Sequence, residues 1–169
     1  MKPVVVLVGP PGAGKSTVAA ALGERLGVPV RDTDADIEAA EGASIQDLFI
    51  DHGEAHFRAL EEDAVATALE EHDGVLAVGG GAVLSERTRE RLRDHLVLFL
   101  EVGLTAAVRR VGLGSGRPLL LGNVRAQLKQ LLDARGPLYR EVADLTIVTD
   151  DLGPDEVADR ALELLEAAR

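Results

Sequence analysis

The chain has no cysteine and no tryptophan, and one tyrosine and three phenylalanines make up its larger aromatics. Without cysteine there is no disulfide, no thiolate metal site and no thiol nucleophile. With so few rings, Leu, Val and Ala must fill the core. The 169 residues, 46% of them apolar, are enough for one ordinary domain, 1–169. Basic side chains are also scarce: 18 Lys and Arg against 29 Asp and Glu leave a formal charge of −11. A general nucleic-acid binder needs a basic stripe to neutralise phosphates, so that class is excluded. An acidic protein that binds anions must concentrate its few arginines locally, which makes each arginine's position informative. Long hydrophobic runs are missing too. The apolar stretch at 4–8 is too short for a signal peptide or a membrane span. A soluble, cytoplasmic protein with no membrane partner is expected.

What is present begins where that short run ends. Residues 9–17 read Gly-Pro-Pro-Gly-Ala-Gly-Lys-Ser-Thr, matching the phosphate-loop pattern G-x-x-x-x-G-K-[ST]. Such a loop lets backbone N–H groups curl inward around phosphate oxygens at the positive end of a helix. Gly12, Ala13, Gly14, Lys15, Ser16 and Thr17 are therefore expected to hold ATP. Lys15 would bridge the terminal phosphates, and the Ser16 hydroxyl would ligate Mg²⁺.

Beyond the loop, apolar strand-like runs alternate with helical stretches. Strands are expected at 4–8, 28–30, 75–78, 96–100 and 145–148. Helices are expected at 15–26, 34–41, 44–50, 53–71, 85–93, 105–111, 124–135 and 154–168. This alternation implies a parallel sheet covered on both faces, with ligands gathering at the carboxyl ends of its strands. The phosphate loop, Asp32-Thr33-Asp34 and Gly79-Gly80-Gly81 each follow a strand directly, so all three fall on one edge.

Asp32 and Asp34 are the best-placed carboxylates for a metal and a substrate hydroxyl. Read as an extended segment, they point to opposite faces. The three glycines offer N–H groups with no side chain in the way of a ligand. Arg58 is flanked by Glu54, Glu61 and Glu62 at helical spacing, and a solvated ion-pair face accounts for it. Arg109 and Arg110 could complement a helix dipole, and Arg135 reads as a helix C-terminal cation. Arg117 differs, because it lies in the glycine-rich segment 112–123, where a hinged cation could cover a transferring phosphate. Phe49 and Phe57 suit either the core or the apolar wall of a small-molecule site. The four histidines have no zinc-type spacing.

Taken together, residues 9–17, Asp32-Thr33-Asp34, Phe57-Arg58, Gly79-Gly80-Gly81-Ala82-Val83, Arg117-Pro118-Leu119-Leu120 and Arg135-Gly136-Pro137-Leu138-Tyr139 resemble the shikimate kinases over essentially the whole chain. The resemblance implies a three-layer αβα P-loop kinase with a five-stranded parallel sheet ordered 2-3-1-4-5. It also implies a helical substrate region at about 32–62 and a mobile lid at about 112–123. It implies transfer of the ATP γ-phosphate to the 3-hydroxyl of shikimate, by a monomer. On the family pattern, Asp32 acts on Mg²⁺ through water, and Asp34 meets the substrate hydroxyls as candidate base. Phe49, Phe57, Arg58, Arg135 and the Gly79, Gly80 and Gly81 turn receive shikimate. Arg110 and Pro154 flank adenine, and Arg117 closes over the phosphate. The alternatives are a related small-molecule kinase, for gluconate or nucleotides, or a nucleotide-gated binding module without turnover.

Overall fold

In a computed structural model, which describes residues 2–113 and 123–168, β1 (Val5–Val8) leads into α1 (Lys15–Leu26), β2 (Val30–Asp32) and α2 (Thr33–Glu41). Then come α3 (Ile45–His52), α4 (Glu54–Glu71), β3 (Val75–Ala77), a 3₁₀ turn (Ala82–Leu84) and α5 (Glu86–Leu92). The last third contains β4 (Val97–Glu101), α6 (Leu104–Leu113), α7 (Val124–Val142), β5 (Leu145–Val148) and α8 (Pro154–Ala167). Arg117 lies outside the described residues, as does most of the expected lid. The strands form one parallel sheet in the order β2-β3-β1-β4-β5, as the resemblance implies.

β1 sits at the centre, with Val6 in register with Leu76 on one side and Val97 on the other. Its four residues are all buried, as expected of a parallel strand covered on both faces. The period of two sorts them. Val5 and Leu7 join the core under α1, α6 and α8, whereas Val6 and Val8 join the core under α4 and α7. Each such side chain contributes about 1.5–3 kcal/mol when fully buried, so the central strand is firmly anchored. A smaller apolar cluster, Ile37, Leu48 and Phe57, ties α2, α3 and α4 together beside the carboxyl edge of the sheet. Ser44 starts α3 as a cap, its hydroxyl accepting from the Asp47 N–H. Among the described residues, no helix is long and apolar enough to cross a membrane.

Two expectations need correcting. The second strand is Val30–Asp32, not 28–30. Pro29 has no N–H, and its carbonyl accepts from Val75 at the sheet's edge instead. The helix from Val124 does not stop at Arg135 but runs on to Val142, with Pro137 inside it. Tyr139 and Val142 are buried in the core, and that burial outweighs the backbone hydrogen bond Pro137 cannot make. Arg135 is therefore a mid-helix residue, not a C-terminal cation.

Candidate active site

The phosphate loop is set by its neighbours and by backbone conformations that only glycine adopts readily. Gly12 and Gly14 have φ of 86° and 82°. Gly14 caps α1 with no side chain over the helix end, leaving first-turn N–H groups for an anion. The Lys15 ammonium donates to the Gly9 carbonyl at 2.6 Å, across the mouth of the loop. A cavity of about 230 Å³ lies here, lined by Pro10, Gly12, Gly14, Lys15, Ser16, Thr17, Asp32, Asp34 and Val78. Ala13 is almost wholly buried, so what it can offer a phosphate is backbone.

Asp32 and Asp34 line that same cavity, so the expectation that they point to opposite faces is overturned. The reason is local. Asp32 ends β2 and caps α2, its Oδ1 accepting from the N–H groups of Asp34 and Ala35, so the extended backbone stops before Asp34. The other Asp32 oxygen, Oδ2, accepts from the Ser16 hydroxyl at 2.9 Å. A hydroxyl beside a carboxylate is a fitting pair of hard oxygen donors for Mg²⁺. Among the described residues, no three acidic or histidine side chains cluster to hold a metal alone. A Mg²⁺ here would complete its shell with waters and phosphate oxygens. Burial pushes the Asp34 carboxyl up to about 6, with Asp32 and Glu61 adding to the effect and Lys15 opposing it. That is a suitable range for a base working near neutral pH.

The three glycines are explained by what abuts them. A Cβ on Gly79 would lie 2.6 Å from both Asp34 Oδ1 and Glu61 Oε2. One on Gly80 would approach Arg135 Nη1 to 3.7 Å, and one on Gly81 would strike the Arg58 guanidinium. Two carboxylates and a guanidinium from α2 and α4 thus crowd onto a single turn, with the Arg135 guanidinium of α7 in ordinary contact beside them. The Gly79 N–H donates to Thr33 Oγ1 at 3.2 Å, so Gly79 supplies clearance here and not a donor. Among the described residues, neither the Gly80 nor the Gly81 N–H meets an acceptor. We expect Gly79→Ala to lower the melting temperature and to abolish most turnover. Overpacking at a site this tight costs about 1–3 kcal/mol. A Gly79→Ala protein with normal melting and rate would mean that the turn yields freely.

Arg58 makes the ion pairs expected with Glu54, at 3.5 Å, and with Glu61, but on a face largely shielded from water rather than solvated. Its guanidinium pairs with Glu61 at 2.7 Å and sits over the rings of Phe49 and Phe57, 5.6 and 5.4 Å from their centroids. Those rings meet at 4.7 Å, tilted by 31°, and Phe57 belongs to the core, so wall and core are one structure. Glu61 is the residue sequence reasoning missed. It is 3% exposed, and burial raises its pKa against the opposing pull of Arg58, Arg135 and Lys15. Its signal was faint: an acidic residue with Phe57 one helical turn before it and Val65 one turn after.

Arg110 braces the nucleotide end. Its guanidinium donates to the Gly12 carbonyl and the Thr149 hydroxyl, each at 3.0 Å, and to the Asp150 carbonyl. It therefore joins the phosphate loop to the loop after β5, not to a helix dipole. Pro154 begins α8 just beyond that loop. His72 packs in the core against the Val75 carbonyl, and His52 and His56 lie together on the surface.

This arrangement has close counterparts. A sequence model described as shikimate kinase matches residues 11–166. A shikimate kinase of Salinispora arenicola is 59% identical over 99% of this chain and all of its own length. One from Thermobifida fusca is 52% identical over 99% of this chain and 97% of its own. Among solved structures, shikimate kinase from Acinetobacter baumannii in complex with shikimate superposes with a TM-score of 0.92 at 36% identity. That match covers all of this chain and 95% of the other. A family match over residues 11–166, relatives more than half identical over nearly the whole length and a fold that superposes throughout leave one assignment: the chain belongs to the shikimate kinase family.

Proposed function

We propose that this chain transfers the γ-phosphoryl group of ATP to the 3-hydroxyl of shikimate. The products are shikimate 3-phosphate and ADP, on the route to chorismate and the aromatic amino acids. The observation that carries this reading is the crowding of Asp34, Arg58 and Arg135 onto one glycine turn beside the phosphate loop. A carboxylate is well matched by two guanidinium forks, and a hydroxyl to be activated needs a nearby base.

In the proposed reaction, amides of residues 12–17 and the Lys15 ammonium hold the triphosphate. Ser16 and, through water, Asp32 would hold Mg²⁺, which when bound would neutralise charge on the triphosphate. Asp34 accepts the proton of the 3-hydroxyl as that oxygen bonds to the γ-phosphorus and the bond to the bridging oxygen of ADP breaks. Arg58, Arg135 and the Gly80 and Gly81 N–H groups grip the substrate carboxylate, with Phe49 and Phe57 behind Arg58 in the helical region 32–62. Arg110 and Pro154 flank adenine, and Arg117 adds positive charge at the transferring phosphate. The enzyme works as a cytoplasmic monomer.

Incubation with MgATP and shikimate should release one ADP per phosphomonoester, seen by ³¹P NMR, whereas gluconate or a nucleoside monophosphate should release none. ADP release with gluconate and not with shikimate would overturn the assignment. Within the site, Arg58→Lys should raise the shikimate KM about tenfold or more while leaving the ATP KM unchanged, because a point charge replaces a bidentate fork. Lysine is preferred to alanine because it keeps a cation near the buried Glu61. Steady-state kinetics in which turnover falls instead, with KM unmoved, would remove Arg58 from the carboxylate.

A further inference from the structure

Tyr139 lies beneath the glycine turn and has no part in the chemistry above. It is 1% exposed, and its ring stacks on Phe99 of β4 at 5.1 Å in the core beneath α4 and α7. Packing explains the ring. It does not explain the hydroxyl, which leucine or phenylalanine would spare this core. That hydroxyl donates to the Gly80 carbonyl at 2.5 Å, and the Arg135 guanidinium lies beside the same turn, its charge opposing the rise of the phenol's pKa. A phenol has one proton to donate, and here the turn receives it.

The geometry of the peptide unit gives this link its consequence. The Gly80 carbonyl and the Gly81 N–H belong to one planar trans unit and point in opposite directions. A donor that holds the carbonyl toward the core therefore holds the Gly81 N–H away from it. Glycine on both sides of that unit would otherwise let the plane rotate. The guanidinium polarises the phenol and the phenol polarises the carbonyl, and polarisation along such a chain strengthens the terminal N–H as a donor. Burial pushes the Tyr139 pKa up to about 12, so the phenol keeps its proton across the working range.

We infer that Tyr139 is a positioning residue for substrate binding: its hydroxyl orients the Gly80–Gly81 peptide beside Arg135, so that the Gly81 N–H and the Arg135 guanidinium face one carboxylate. The inference rests on the substrate carboxylate lying at this turn, as proposed above.

Tyr139→Phe keeps the ring and removes only the hydroxyl. It should raise the shikimate KM on the order of tenfold, the effect of losing one buried hydrogen bond to a charged system, with turnover and the ATP KM within about twofold. With the neutral carboxamide analogue of shikimate, wild type and Tyr139→Phe should be equal. An unchanged shikimate KM, or equal losses for ATP, shikimate and the carboxamide, would overturn the inference and leave a packing role alone. Arg135→Ala separates the two levels. If it also leaves the shikimate KM unchanged, the placement of the carboxylate falls as well; if it raises the KM while Tyr139→Phe does not, only the role of Tyr139 falls. A second measurement needs no substitution. Tyr139 is the chain's one tyrosine, so 3-fluorotyrosine labels this site alone. Its ¹⁹F resonance should move when shikimate is added and stay in place with the carboxamide. A resonance that ignores shikimate would overturn the inference.

Discussion

Lys15→Met should cut turnover by about three orders of magnitude or more, the scale set when a positioned cation is removed from a transferring phosphoryl group. Methionine keeps the length of the stem and removes the charge. The protein should still fold, because the Lys15 ammonium bonds to loop carbonyls and fills no core. A second consequence separates this variant from a simple binding defect. Lys15 is the group that opposes the rise of the Asp34 pKa. Without it, Asp34 should hold its proton to higher pH, and the residual activity should shift in the same direction. Single-turnover measurements from pH 5 to 9, with circular dichroism as the control for folding, would test both points. Residual turnover within tenfold of wild type would remove Lys15 from the chemistry.

Asp34→Asn carries the other large effect. Asparagine preserves shape but cannot take the hydroxyl proton, so kcat should fall about 10²–10⁴-fold. In the wild type, kcat/KM should climb as pH rises toward about 6, where Asp34 ionises, and level off above that. The residual rate of the variant should lack this step. Stability should move the opposite way. The folded carboxyl, at about 6, lies above its usual 3.8, so between these values the folded chain holds a proton that the unfolded chain has lost. Stability therefore falls as pH rises through that window, and the cost is complete above it. Asparagine never ionises, so Asp34→Asn should melt higher than wild type at pH 8, with the gap closing below about pH 4. An inactive variant that melts lower at pH 8 would point to lost structure, not to a lost base.

Those two residues also show what could be read from the chain alone. The environment of Lys15 was legible because a phosphate loop is local: a strand, a run of nine residues and a helix contain its logic. The topology was legible for a similar reason, since short apolar runs separated by helices admit few arrangements. Asp34 was found but misplaced, because alternation holds only while the backbone stays extended, and Asp32 ends that by capping α2. Arg58 and Glu61 resisted because spacing along a helix shows that two side chains meet, not whether water reaches them. What hides Glu61 is α4 lying between two cores, with Val65 and Ala68 facing one and Phe57 facing the other. The reach of α7 was misjudged at Gly136-Pro137, where packing of Tyr139 outweighs a local breaker. For Asp34 the missing information was a local cap; for Glu61 and α7 it came from elements distant in sequence.

The glycine turn imposes a lasting constraint on this family member's descent. Gly79 and Gly81 press on groups from α2 and α4, so the effects of changes there cannot simply add as they do between distant sites. A bulkier residue at Gly81 is tolerable only after Arg58 has moved, and Arg58 cannot move without stranding Glu61. A substitution at one member of the cluster therefore sets the terms on which any other can change.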